Sequence, residues 1–197
     1  MRKALCSLFL IASIGSIACA EGTHRLGLGL GSINGEYSEP GVTVAMDGGH
    51  SDIPSYSYTF DKGLTLAVQL KTIDIEGTTT ILGISVSTFY TLDVITFGIG
   101  YAIAVSNAVV IAPTFVIGSG AAKFHYEIPG FGSSPVIEGD GGISGIEIPI
   151  YFDIGQQFFV GLKPGFYGGG SEITYPNGDK ADVKLGNGFQ FLLGAKF

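Results

Sequence analysis

Apolar residues alternate with small or polar ones along most of the chain. Leu26, Leu28 and Leu30 alternate with Gly27, Gly29 and Gly31. Tyr56, Tyr58 and Phe60 alternate with Ser55, Ser57 and Thr59. Leu64, Leu66, Val68 and Leu70 face Thr65, Ala67, Gln69 and Lys71, and Ile95, Phe97, Ile99, Tyr101 and Ile103 face Thr96, Gly98, Gly100, Ala102 and Ala104. Val109, Ile111, Phe115 and Ile117 share one face around Pro113. Ile146, Ile148, Ile150 and Phe152 alternate with Glu147, Pro149, Tyr151 and Asp153, and Phe158, Val160, Leu162 and Phe166 with Phe159, Gly161, Lys163 and Tyr167. The last run places Phe189, Phe191, Leu193, Ala195 and Phe197 against Gln190, Leu192, Gly194 and Lys196. A period of two marks strands with two unlike faces, so these runs predict eight strands.

Two kinds of connection separate them. Asp61-Lys62-Gly63, Ser106-Asn107-Ala108 and Gly155-Gln156-Gln157 are short and polar, whereas about 38–53, 75–92, 127–142 and 169–184 read as long loops rich in Gly, Pro, Ser and Asp. Two further runs complicate the count: Leu82, Ile84, Val86, Tyr90 and Leu92, and more weakly Val42, Val44 and Met46. Ten strands are therefore the alternative. The rhythm of short and long links favours eight, with these runs extending hairpins beyond the spanning region.

At the other end Arg2 and Lys3 precede an apolar stretch to about Ile17, and Ala18-Cys19-Ala20 offers the small residues a signal peptidase accepts. Residues 1–20 are expected to be a cleaved signal peptide, and residues 21–197 a single domain. Cys6 and Cys19 both fall in the removed segment, so disulfides are not expected to hold the mature fold. The full chain carries a net charge of −7 and becomes more acidic once Arg2 and Lys3 are lost, which argues against nucleic acid as a partner. Charged residues make up only 14%, where a soluble domain carries nearer ~25%. No mature segment supplies the ~20 apolar residues of a spanning helix. An exported chain this apolar meets a bilayer by closing its strands, so that every backbone group is paired. The expected fold is all-β: a closed, antiparallel, up-and-down transmembrane β-barrel.

Exported soluble barrels of the lipocalin kind show the same alternation with the faces exchanged. Here the faces opposite the apolar stripes hold mostly Gly, Ala, Ser and Thr, which suit the cramped interior of a small barrel better than a solvated exterior.

Candidate chemistry lies on the interior face. Glu147 and Lys163 sit at similar distances from the turn joining their strands and are expected to form a lumenal ion pair, with Gln69, Lys71 and Arg25 as further members of a polar network. Such a network fills and neutralises the lumen or, in a wider barrel, selects solutes in a narrow pore. No catalytic set is expected. His50 in Gly49-His50-Ser51-Asp52 reads as part of the first long loop, where triad geometry is hard to hold. No Cys or His cluster has metal-site spacing, and no cofactor is expected.

The terminal run Gly188–Phe197 resembles the last strand of bacterial outer-membrane barrels, and nearly the whole mature chain resembles the small barrels of the OmpA, OmpX and OmpW type. The resemblance implies Phe189, Phe191, Leu193 and Phe197 as an assembly signal. It implies outer-membrane lipid, lipopolysaccharide and the barrel assembly machinery as partners. The chain has no Trp, so Tyr37, Tyr56, Tyr58, Tyr101, Tyr151 and the phenylalanines are expected to serve as its aromatic girdle. A lipid A deacylase among such barrels carries His-x-Ser on a strand; here the pattern reads His125-Tyr126-Glu127 and lacks the nucleophile. The expectation is a non-enzymatic outer-membrane barrel acting through its extracellular surface, with a narrow channel as the alternative.

Overall fold

The computed structural model describes residues 22–197. The expected signal peptide and its cleavage residues Ala18 and Ala20 lie outside the described residues. Eight long strands run up and down. They are β1 (Gly22–Glu39), β2 (Val42–Phe60), β3 (Leu64–Ile81) and β4 (Ile84–Tyr101, continued as Ile103–Ser106). Next come β5 (Val109–Ile111, continued as Thr114–Ile128) and β6 (Ile137–Glu147, continued as Ile150–Ile154). β7 (Phe158–Thr174) and β8 (Lys180–Lys196) complete the set. The interruptions fall at Ala102, before Pro113 and before Pro149, where proline cannot donate to a ladder. Each strand pairs antiparallel with its successor, and β8 returns to pair with β1 from Arg25↔Lys196 to Ser38↔Asp182. The ring of pairings is closed. At the seam His24 and Phe197 exchange backbone hydrogen bonds of 2.8 and 3.1 Å, so the ladder runs to the last residue.

The strands are longer than expected. β1, β3 and the main part of β4 have 18 residues and β2 has 19, where a membrane strand needs about 9–11. Eighteen residues reach about 60 Å, or ~45 Å along the axis of a tilted barrel. The segments read as long loops at 38–53 and 75–92 are mostly strand. Their tips are the two-residue turns Pro40-Gly41 and Leu82-Gly83. Leu82 (φ 51°) and Gly83 (φ 82°) both occupy the left-handed region that a type I′ hairpin requires. Loop-like composition misled because strands standing in water also carry polar and small residues. The runs Val42–Met46 and Ile84–Leu92 extend hairpins and add no further span.

The apolar face changes sides along each strand. On β3, Leu64, Leu66, Val68 and Leu70 point out of the barrel, and the same outward parity continues as Thr72, Asp74 and Glu76. The inward parity reads Thr65, Ala67, Gln69, Lys71 and then Ile73 and Ile75. β4 does the same: Ile95, Phe97, Ile99 and Tyr101 are outward and exposed below Asp93, while Leu92 and Tyr90 are buried above Thr96. Collected over all strands, the lower half wears an apolar belt that includes Leu30, Phe97, Ile117, Ile146, Phe191 and Leu193. The upper half encloses an apolar core built on Ile33, Met46, Ile73, Tyr90, Leu92, Val116, Phe124, Ile143 and Val183. A greasy exterior around a polar interior suits lipid, and the reverse suits water.

Just above the belt the acids are tied down. Thr72 donates to Asp93 and Thr91 to Asp74, each at 2.7 Å, across the β3–β4 ladder. Glu36, Asp47, Glu76, Asp140 and Asp182 also face out there, against Lys123 and Lys184. Of the expected girdle, Tyr101 is exposed on the outer face, and Tyr56 and Tyr58 share the outward parity of β2 but are buried against His24. Tyr37 and Tyr151 instead point inward, because each shares the interior parity of its strand. At the lower rim His24 stacks on Phe197 at 5.3 Å, packs at 4.7 Å against Tyr58, and shares a 2.8 Å hydrogen bond with the Tyr56 hydroxyl.

Above the membrane half the wall divides. β2 and β3 pair only as far as Asp47↔Glu76, and β6 and β7 only as far as Gly142↔Gly170. Beyond those rungs β7-β8-β1-β2 and β3-β4-β5-β6 face each other across the apolar core.

The division of polarity sets the first expected outcome. Ile99→Arg, in the middle of the belt, should destabilise the protein by about 2–4 kcal/mol in urea titrations from phospholipid vesicles. Asp140→Lys, on the watery half, should stay within about 0.5 kcal/mol. Equal effects at both positions would contradict the boundary.

Candidate functional site

Where the belt ends, the lumen narrows onto a ring of four charges. β2 brings Asp52, β3 brings Lys71, β6 brings Glu147 and β7 brings Lys163. Lys71 donates to Asp52 Oδ1 at 2.6 Å and stands 3.0 Å from Glu147. Lys163 stands 3.2 Å from Glu147 and donates to the second oxygen of Asp52. Each cation therefore touches both anions. The ring is electrically neutral and links β2 and β3 to β6 and β7 across the barrel. Neither Asp52 nor Glu147 exposes any surface.

Hydrogen bonds complete the ring. Gln69 Nε2 donates to Glu147 Oε2 at 2.9 Å, and the Tyr167 hydroxyl donates to Glu147 Oε1 at 2.9 Å. Thr96 donates in turn to the Gln69 carbonyl at 3.3 Å. Lys71 Nζ also lies 5.4 Å from the centre of the Tyr167 ring. Desolvating an ion costs several kcal/mol, and one partner seldom offsets it; two opposite charges per ion, with spare lone pairs bonded, do so better. Beside the ring lie His50 and Gln190, both buried. Gln190 Nε2 reaches the His50 carbonyl at 3.5 Å, while neither ring nitrogen of His50 has a hydrogen-bond partner among the described residues.

Arg25 is inside the barrel but apart from the ring. It lies near the lower rim, 3.6 Å from Asp153 and 4.6 Å over the Tyr151 ring, and Lys196 holds the other oxygen of Asp153 at 2.7 Å. Between the two clusters is a cavity of about 20 Å³ lined by Ser57, Thr65, Gln69 and Lys163, room for about one water. Above the ring, the apolar core seals the lumen a second time.

Sequence reading brought Glu147, Lys163, Gln69 and Lys71 onto the interior face, and in the structure these four meet. It assigned His50 and Asp52 to a loop, whereas both are buried lumenal residues of β2. The reason is a bulge: β2 changes register between Asp52 and Ser55, so the interior parity is even before Ile53-Pro54 and odd after it. Following the alternation separately on each side of that dipeptide would have found Asp52. Tyr167 and Gln190 were already on the interior parity and went unassigned. His125 lies on the outer wall, stacked on Phe89 at 4.8 Å, with Glu127 accepting from Ser133. The terminal Phe189, Phe191, Leu193 and Phe197 all face outward, Phe191 being 65% exposed.

No family model matches the chain, and no curated protein matches it. Among solved structures it is similar to Ail, the attachment invasion locus protein of Yersinia pestis, in complex with the heparin analogue sucrose octasulfate. The two are 16% identical over 90% of this chain and 99% of that one, with a TM-score of 0.49. It is also similar to Neisserial surface protein A (8% identity, 88% and 95% covered, TM-score 0.48). A third similar structure is the outer membrane protein OprG of Pseudomonas aeruginosa (9%, 89% and 96%, 0.46). Its own pairings make the chain a closed, eight-stranded, antiparallel up-and-down β-barrel with an apolar outer belt.

Removing one member of the ring should be costly and removing a matched pair much less so. Glu147→Gln is expected to lower unfolding free energy by about 3–5 kcal/mol, because two buried ammonium groups are left with one carboxylate. Glu147→Gln with Lys163→Met should recover most of the loss. Urea unfolding in vesicles, followed by heat-modifiable gel mobility, measures both; a neutral single variant would contradict the ring as a structural tie.

Proposed function

We propose that this chain is a structural protein of a bacterial outer membrane: a closed, non-conducting and non-enzymatic barrel that raises a stiff acidic platform above the lipid. The observation that carries the reading is the double closure of the lumen. The ring of Asp52, Lys71, Glu147 and Lys163 fills one level with buried, mutually bonded side chains. The apolar core fills the next, with Ile73, Leu92 and Val116 fully buried. An ion crossing the lumen would have to part a neutral salt-bridge ring and then enter a dry apolar layer, and each step opposes it. A barrel of eight strands has room for little more than its own side chains.

The belt gives the platform its lipid partner, and Phe189, Phe191, Leu193 and Phe197 on the outer face of β8 are the residues through which the assembly machinery would engage the last strand. Lipopolysaccharide would meet the collar of Asp74 and Asp93, with their carboxylates already oriented by Thr91 and Thr72. Between two anionic surfaces, divalent cations are the natural bridge. The non-enzymatic reading is supported by Asp52, whose carboxylate is engaged by two lysines and does not bond the His50 ring. It is supported also by His125, which faces outward beside a glutamate instead of a serine nucleophile.

Planar-bilayer recording tests the central claim. The refolded mature protein should give a silent membrane in molar salt. A variant with all four ring residues changed to alanine, if it still folds by gel mobility, should also stay silent because the apolar core remains. Steady openings of the unaltered protein would replace this reading with a channel.

A further inference from the structure

Above the apolar core the two sheets separate into a blind cup of about 570 Å³, open to the outside, a volume within the range of small-molecule sites. Its walls are aromatic. Tyr37 stacks on Phe124 at 5.2 Å, and Tyr175 meets Phe124 edge-on at 6.3 Å, with Tyr126 on the wall beside them. Phe124 and Val44 are buried beneath and close the floor, so the cup leads nowhere.

The rim is acidic. Tyr37 donates to Glu39 Oε2 at 2.7 Å and its oxygen lies 2.6 Å from the Tyr175 hydroxyl. With the Tyr37 hydroxyl donating to Glu39, Tyr175 donates to the Tyr37 oxygen, and the relay fixes the Glu39 carboxylate at the mouth. Burial, then the hydrogen bonds to Tyr175 and Glu39, hold the Tyr37 phenol well above its ordinary range, so it remains a neutral donor. Asp179, in the β7–β8 link, also lines the cup and accepts from the Asn177 amide at 2.7 Å. The one lysine of the lining, Lys180, is paired to Glu172 at 2.6 Å and so adds little net positive charge to the cup.

We propose that this cup binds small apolar cations, an ammonium carried on an aromatic or alkyl body. The part-exposed rings of Tyr126 and Tyr175 attract a cation and accept an apolar body at once, above the buried, mutually stacked Tyr37 and Phe124. Glu39 and Asp179 complement its charge, and the acidic exterior draws cations toward the mouth. An anion of the same shape meets repulsion at every one of these groups, and a neutral analogue forfeits the charge attraction. The site is independent of whether the lumen conducts.

The test uses three probes with one apolar body: 4-phenylbutylammonium, 4-phenylbutanol and 4-phenylbutanoate. Each is titrated into the refolded mature protein in non-ionic detergent, with tyrosine ring resonances read by NMR. Tyr126 and Tyr175 report on the cup, while Tyr101, on the belt and 55% exposed, reports on partition into detergent. The ammonium should give saturable shifts at Tyr126 and Tyr175 and none at Tyr101. The alcohol should bind about tenfold more weakly and the carboxylate should not saturate. Glu39→Gln with Asp179→Asn should erase the preference for ammonium over alcohol while heat-modifiable mobility is unchanged. Should that double variant fail to fold, Tyr126→Leu, which changes one wall of the cup and leaves both carboxylates in place, should weaken ammonium binding. Equal affinity for ammonium and alcohol, shifts that track Tyr101, or no saturation at the cup would each overturn the proposal.

Discussion

Backbone pairing through the β8–β1 seam is what everything else in this molecule rests on. In hydrocarbon an unpaired amide has no water to turn to, and each one costs several kcal/mol. Eight antiparallel strands with the first bonded to the last leave no edge in the lipid, and here the seam extends through His24 and Phe197. Once the cylinder is shut, its interior is narrow and its exterior must match the solvent at every height. The belt, the ring of charges and the apolar core are three answers to that one geometric fact.

The order of those layers explains how a nearly apolar wall can hold two lysines and two acids at its centre. Below the ring the lumen is lined by small and polar groups together with the buried cluster of Ala112, Tyr151, Phe159 and Leu192; above it the inward parity turns to Ile73, Leu92 and Val183. The charges therefore sit between lipid outside and a dry core overhead, where an unmatched ion would be intolerable and a matched set is held firmly. Tying β2 and β3 to β6 and β7, the ring braces the wall below the level at which the β2–β3 and β6–β7 ladders end, at Asp47↔Glu76 and Gly142↔Gly170.

Much of this was legible from alternation alone. Runs such as Leu64–Leu70 and Ile95–Ile103 give a strand, its two faces and its place in the lipid, because a period of two leaves little freedom in which side chain goes where. Glu147 and Lys163 followed from the same parity. What resisted was local. The Ile53-Pro54 bulge reverses parity within β2 and so hid Asp52. The upper strands carry Thr, Gly and Asp on their outer face and read as loops, since composition reports the solvent a strand meets more strongly than its backbone state. The choice between an apolar exterior and an apolar interior, posed as alternatives for the whole chain, is resolved within each strand: both occur, one above the other.

That exchange of faces has a mechanical consequence. A strand that is greasy outward to Leu70 and acidic from Asp74 cannot slide along the membrane normal without penalty in either direction. Sinking by one rung pair would drag Asp74 and Asp93 into oil; rising by as much would strand Leu70 and Ile95 in water. The molecule thus carries its own draught mark, and hydration fixes its vertical position. In a thinner or thicker bilayer it is the lipid that must deform to meet the mark.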